Sequence, residues 1–214
     1  MPKIIEITVF RFEELAARAR EKARDWYRQT GLDYDWHDYH FDDFERICEI
    51  LGVTLLTSPV ELHGGGTRPR PHIYFSGFSS QGDGACFEGD YSYAKLAPAR
   101  IRAYAPRDKE LHRIASALQA IQQQNGYQLH ARIDHRGRYY HEHSMTISVE
   151  RNSPTEREPT ANAAGSIEEA LRDLARWLYR QLEREYDYLN SDKAVDEAIR
   201  ANEYTFTAEG ARFG

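Results

Sequence analysis

The stretch from Pro71 to Tyr93, PHIYFSGFSSQGDGACFEGDYSY, constrains this chain most. Aromatic residues alternate with small or polar ones on both sides of Gly82-Asp83-Gly84, the pattern of a β-hairpin closed by a glycine-containing turn. A three-residue turn opposes Gln81 to Ala85 and collects Ile73, Phe75, Phe87, Tyr91 and Tyr93 on one face, with Gly77 opposite Gly89. Tyr74, Ser76, Phe78, Ser80, Cys86, Glu88 and Asp90 take the other face. A two-residue turn mixes Phe75 with Ser92 and leaves neither face apolar; because a one-residue slip exchanges the faces, the three-residue register is preferred. The facing glycines predict a dent in the apolar side, where a helix or a ligand can approach the backbone.

Elsewhere the hydrophobic period changes along the chain. Lys3 to Phe10 is β-branched and alternating, which predicts a first strand. Phe12, Leu15, Ala16, Ala19, Ala23, Trp26 and Tyr27 mark one face of a helix that Gly31 ends, and Trp36, Tyr39, Phe44, Ile47, Cys48 and Leu51 mark a second, stopped by Gly52. Val53 to Leu56 reads as a short strand. The run 62–71 contains three successive glycines and two prolines, so it predicts an irregular and mobile loop near 63–71; 97–106 reads as a second irregular span. A helix is expected from about Arg107 to Gln124, with Asn125-Gly126 as its stop.

Tyr127 to Val149 reads as another hairpin, turning at His135-Arg136-Gly137. Leu129, Ala131, Ile133, Tyr139, Met145, Ile147 and Val149 then share one face. A polar loop near 152–165 follows, and Ser166 with Glu169 forms a capping box for a long helix through Ile167, Leu171, Leu174, Leu178, Leu182 and Leu189. Ser191 caps a last helix to about Ala201, and Tyr204 to Thr207 is a short strand or an extended tail.

Strands in hairpins separated by long helices predict an α+β fold, an antiparallel sheet with several helices packed mainly on one face. With no repeat and no linker in view, 1–214 reads as a single domain. The solvent side of the sheet is expected to carry Glu88, Asp90, Arg132, Arg138 and Tyr140. The two cysteines, Cys48 and Cys86, form no CxxC pair, which points to a reducing, cytoplasmic setting. The chain contains no run of about 18 apolar residues, so no membrane partner is expected. The net charge of -6 is unevenly placed. Asp33, Asp35, Asp38, Asp42, Asp43 and Glu45 lie together without a lysine or arginine among them, whereas Lys95, Arg100, Arg102, Arg107, Lys109 and Arg113 form a basic stretch.

Candidate chemistry is sparse. His141-x-His143, taken as a strand pair pointing one way, can share a metal ion, but zinc needs at least three protein ligands and the third must come from another element. His37 and His40, or Asp38 and Asp42, lie on one helical face and can hold a divalent cation, though no known metal-loop spacing surrounds them. Cys86 invites a nucleophile reading, yet Gln-Gly-Asp-Gly-Ala-Cys-Phe matches neither papain-like nor caspase segments. Gly82-Asp83-Gly84 lacks the lysine and the helix of a phosphate loop. No metal, cofactor or catalytic residue is therefore assigned.

The stretch from Ile73 to Gly89, YFSGFSSQGDGACFEG at its centre, resembles a signature of uncharacterised bacteriophage and prophage proteins. Ala23-Arg-Asp-Trp-Tyr27 and Ala201-Asn-Glu-Tyr-Thr-Phe-Thr207 are similar to the flanks of the same family, whose members are often labelled antitoxins of toxin–antitoxin stability systems. The resemblance implies a mobile-element setting and a protein that neutralises a toxin or a bacterial defence complex by protein–protein contact. It brings no catalytic residues. Asp33, Asp35, Asp38, Asp42, Asp43, Glu45, Glu88 and Asp90 are the candidate binding residues, facing a basic protein partner. The alternatives are a nucleic-acid-binding protein using Arg100, Arg102, Arg107, Lys109, Arg113, Arg132, Arg136 and Arg138, and an enzyme centred on Cys86 or a metal.

Overall fold

The structure is a computed structural model that describes residues 6–155 and 157–214. It is an α+β fold with antiparallel sheets, and its contacts group into two compact units where the sequence predicts one domain. One unit comprises 1–38 and 183–214, the other 39–182.

In chain order the elements are β1 (Phe10–Arg11), α1 (Ala17–Thr30), α2 (Asp38–Leu51), β2 (Val53–Leu55), β3 (Thr57–Glu61), β4 (Thr67–Pro71), β5 (Ile73–Phe75), β6 (Ala85–Phe87), β7 (Gly89–Ser92), α3 (Ala97–Tyr104), α4 (Lys109–Gln124), β8 (Leu129–His135), β9 (Met145–Arg151), α5 (Ala163–Leu189), α6 (Asp192–Ala201), β10 (Thr205–Phe206) and β11 (Arg212–Phe213). Single 3-10 turns precede α1 and β9, at Phe12–Glu14 and Glu142–Ser144.

The first unit joins the two chain ends. β1, β10 and β11 form a three-stranded sheet, and Phe12, Leu15, Ala19, Ala23, Val195, Ile199 and Phe206 make its buried core. Arg24 of α1 holds Asp196 of α6 in a two-point grip, Nε to Oδ1 at 2.7 Å and Nη2 to Oδ2 at 2.9 Å, and that contact keeps the Asp196 carboxyl below its usual range. Among its described residues, the predicted first strand is kept only at Phe10. Lys3 to Ile5 lie outside the described residues, and 6–9 have no regular structure.

The second unit is built on the sheet β2-β7-β8-β9, antiparallel throughout. Its strands alternate: Val53, Tyr91, Leu129, Ala131, Ile133 and Ile147 are buried, while Thr54, Asp90, His130, Arg132 and Ser148 are exposed. Helix α4 lies on the buried side, where Gln122 reaches Tyr91 and Leu129, and α5 is tied to the start of α4. Gln122 of α4 donates to the Leu129 carbonyl at 2.8 Å and accepts from the Leu129 N–H at 3.1 Å, so one amide satisfies the start of β8. Asp108 caps α4 through the N–H groups of Glu110 and Leu111 and accepts the Trp177 indole of α5 at 2.7 Å.

Both predicted hairpins exist, but in other registers. Ile73 pairs with Phe87 rather than Tyr93, and Leu129 with Arg151 rather than His143. The turns are the long loops 76–84 and 136–144 instead of three residues. Each slip is an even number of residues, so the alternation is kept and Ile73 and Phe87 still share the core side. Gly77 no longer faces Gly89, and the predicted dent is absent. Cys86, expected on the solvent side, is fully buried, because the segment around His141 and Ser144 covers it.

Three further expectations are corrected. The glycine–proline run forms a hairpin arm, β3 against β4, around 62–66. Pro59 pairs with Pro69 and Pro71 with Thr57, while the bonds of His72 N–H to Leu56 O and Leu62 N–H to Gly66 O fall on the even-numbered residues. The proline nitrogens therefore point out of the ladder and cost it nothing. The span 97–106 contains α3, with Pro98 in its first turn, where the missing N–H has no helical partner to lose. Helix α5 starts at Ala163, so Ser166 lies inside it and donates its N–H to Asn162 O rather than capping.

Gly89 sits between Leu55 and Ile133, and a Cβ there lies 2.3 Å from the Thr54 carbonyl oxygen, in a ladder that cannot yield. Gly89→Ala should lower stability by about 1–3 kcal/mol in denaturant unfolding. Gly165, within α5 with open space around its Cβ position, is the control: Gly165→Ala should raise stability by roughly 0.5–1 kcal/mol.

Candidate functional site

The helix α2 buries Phe41, Phe44, Ile47, Cys48 and Leu51. With that stripe inward, the helical period turns positions 39, 42, 43 and 46 outward. Tyr39 is 76% exposed, more than any other large apolar or aromatic side chain described. Asp42 is exposed and Asp43 half-buried beside it. Tyr104, at the end of α3, donates its hydroxyl to Asp43 Oδ1 at 2.5 Å; this bond first, and burial second, push the phenol up to about 12. Two tyrosines thus flank two aspartates on one surface.

Round the helix from this surface, Glu45 and Glu49 line an open groove of about 500 Å³ whose other walls include Thr54, Ser92 and Tyr93. Burial, then the neighbouring Asp42 and Glu49 carboxylates, hold the Glu45 carboxyl above its usual range. Arg46 bonds Glu49 at 2.6 Å. Glu45 and Glu49 are the charged residues among those lining the groove, which holds no lysine or arginine.

The eight predicted carboxylates do not form one set. Asp42, Asp43 and Glu45 share α2 in the second unit. Asp33, Asp35 and Asp38 are exposed and belong to the first unit, where Asp35, Asp38 and His37 place one ligand atom each within 4.8 Å of the others. Asp90 stands on the open sheet face and bonds Arg132 at 3.0 and 3.2 Å.

Glu88 is not a free surface acid. Its Oε2 binds His72 Nδ1 at 2.8 Å and its Oε1 accepts the His135 N–H at 3.0 Å; burial opposes its charge, and these two bonds outweigh it and hold the carboxyl below its usual range. His72 Nε2 in turn lies 2.7 Å from Ser58 Oγ on β3. With the carboxylate taking the Nδ1 proton, Nε2 is left to accept the serine hydroxyl. The order serine, histidine, carboxylate joins three segments that spacing alone does not connect. Tyr74 and Tyr140 stack beside it at 5.1 Å, with His135 against both.

The remaining candidates are also relocated. Burial pushes the Cys86 thiol up to about 12, with hydrogen bonds from Ser144 and His141 only partly opposing, so the thiolate needed for attack is absent at neutral pH. His141 and His143 lie on the 3-10 turn and not on a strand. Of the basic set, Arg113 is bonded to Asp173 at 2.6 Å and Arg132 to Asp90 and Asp134, which removes two of its charges from any patch. Sequence reasoning missed Tyr104, Glu49, Ser58 and His72. Only Glu49 was legible, from its spacing to Glu45 on the same helix.

Residues 36–192, most of the chain and all of the second unit, match the model of the family described as Domain of unknown function (DUF8835). The chain belongs to this family. The DUF8835 region holds the α2 surface, the Glu88 network and the signature stretch together. No curated protein and no solved structure matches the chain. No helix described is long and apolar enough to cross a membrane.

Cys48 and Cys86 are both free and buried, with thiols raised by desolvation. A thiol-specific disulfide reagent should label neither cysteine in the native protein near neutral pH and both after unfolding. Rapid native labelling of Cys86 in the absence of denaturant contradicts its burial.

Proposed function

We propose that this protein is a binding protein that takes a lysine- or arginine-rich segment of a protein partner along the α2 groove, and that the partner is a toxin or bacterial defence component. The observation that carries the reading is the open groove of about 500 Å³ whose lining holds Glu45 and Glu49 and no lysine or arginine. Desolvation, Asp42 and Glu49 all disfavour the charge of Glu45, and Arg46 binds Glu49. A cation brought into the groove relieves that repulsion, and the free energy released favours binding. On the neighbouring face of α2, outside the groove, Tyr39 and Tyr104 offer the same protein partner exposed aromatic contacts of the kind that dominate many interfaces and attract guanidinium groups. The mobile-element setting comes from the signature between Ile73 and Gly89.

The sign of the pH dependence follows from Glu45. Its charged form populates only above its raised value, so affinity for a cationic segment should rise through the weakly acidic range and fall as the carboxyl is protonated. A labelled oligoarginine peptide and the protein co-purifying from a bacterial host are the two probes. Glu45→Lys should weaken both by about tenfold, and Tyr39→Ala should weaken the co-purifying protein by a similar factor, the interface cost of one hot-spot residue. A partner whose affinity ignores both substitutions refutes the α2 site.

One observation favours a second reading. The Ser58, His72 and Glu88 chain has the hydrogen-bond order of a base-activated hydroxyl nucleophile. If it acts in acyl transfer, a fluorophosphonate probe should label the wild-type protein and spare Ser58→Ala. Equal labelling of both, or of neither, leaves the three residues as a structural tie between the hairpin arm and the sheet.

A further inference from the structure

We propose that His141, Glu142 and His143 form a binding site for a divalent transition metal, with zinc as the ion that best fits two imidazoles and one carboxylate. The three side chains place one ligand atom each within 4.8 Å of the others. His141 Nδ1 lies 3.0 Å from Glu142 Oε2, and His143 Nε2 lies 3.8 Å from Glu142 Oε1. Ligand atoms each about 2.1 Å from a tetrahedral zinc ion sit about 3.4 Å apart, a value these separations bracket.

The electrostatics point the same way. His141 Nδ1 also lies 3.2 Å from the backbone N–H of His143, a contact that an ion bound at Nδ1 replaces. Glu142 is one of the few buried charged residues described, and its one cationic neighbour, Arg176, reaches Oε1 only at 3.5 Å. Arg176 is held more closely by Asp173 and Glu169, at 2.5 Å each. It orients the carboxylate without filling the space between Oε2 and the imidazole, as a supporting residue behind a metal ligand does.

The turn is built to hold these groups. Ser144 Oγ donates to the His141 carbonyl at 2.7 Å and accepts the His141 N–H at 3.2 Å, which closes the turn on itself. The His141 ring packs against Gly84, where a Cβ has only 2.8 Å to the imidazole. His143 is 68% exposed in its side chain and leaves a coordination position open to water or to a ligand. Three protein ligands with an open fourth position is the arrangement of zinc sites that exchange ligands, in contrast to closed structural ones.

The test is titration of the full chain with Zn²⁺ by calorimetry, and with Co²⁺ by its visible absorption. One equivalent should bind, and His143→Ala and Glu142→Gln should each weaken it at least about tenfold, within the range seen when a zinc site loses a supporting group. His143 is exposed, so His143→Ala removes a ligand without disturbing the core. His130→Ala, on the open face of β8, should change nothing. Absence of saturable binding overturns the proposal. So does binding that His37→Ala abolishes and His143→Ala leaves intact, since that places the ion on the Asp35, His37 and Asp38 cluster instead.

Discussion

The second unit depends on a change of partner between Glu88 and Gly89. Up to Phe87 the chain pairs with β5; from Gly89 onward it pairs with β2 on one side and β8 on the other. Glu88 spans the switch with its backbone, donating to His72 O at 3.0 Å and accepting from Leu56 N–H at 2.9 Å, while its side chain gathers His72 and the His135 N–H. Gly89 then enters the ladder so close to β2 that no side chain fits. A half-buried carboxylate and an absent Cβ, adjacent in sequence, let one strand serve two sheets. Neither works alone: without the carboxylate the His135 N–H loses its acceptor, and with a Cβ the two ladders cannot meet.

From this switch the rest of the unit follows. The sheet it anchors leaves one face open, carrying Asp90, Arg132 and Ser148, and turns the other toward α4. The Phe44 and Phe87 rings meet edge to face at 5.3 Å, which ties α2 to the strand just before the switch. The groove that carries Glu45 and Glu49 is therefore a product of how α2 lies beside β2 and β7. Acidic surfaces on helices are common, but here burial first, and the Asp42 and Glu49 carboxylates second, raise Glu45.

Much of the fold was legible in local pattern. Helical period located α1, α2, α4 and α5, Ser191 as a cap located α6, and Gly52, with φ of +90°, stops α2 as its position suggests. The errors share a cause. Reading turns as short put His141 and His143 on a strand, Cys86 on the surface and Gly77 against Gly89. The loops 76–84 and 136–144 are long because they bond to distant groups: Tyr179 donates to Gly77 O at 2.9 Å, Ser76 to Tyr140 O at 3.3 Å, and Asp83 caps Ser79 and Ser80. Prolines likewise read as breakers until the ladder shows that their nitrogens face away from it.

Which side chains share a face was determined by the sequence alone, since a strand alternates with a period of two whatever its partner, and an even slip leaves the faces unchanged. The acidic and aromatic character of the segment around Tyr39, Asp42, Asp43 and Glu45 was likewise set by composition and helical spacing. Register, burial and neighbourhood were decided only by the tertiary structure. Ser58, His72 and Glu88 come from three segments, and Glu142 meets Arg176 of α5 only once the 136–144 loop folds back over Cys86. Those meetings are set by long-range pairing and by which loop can reach which helix, quantities that no window of local sequence contains.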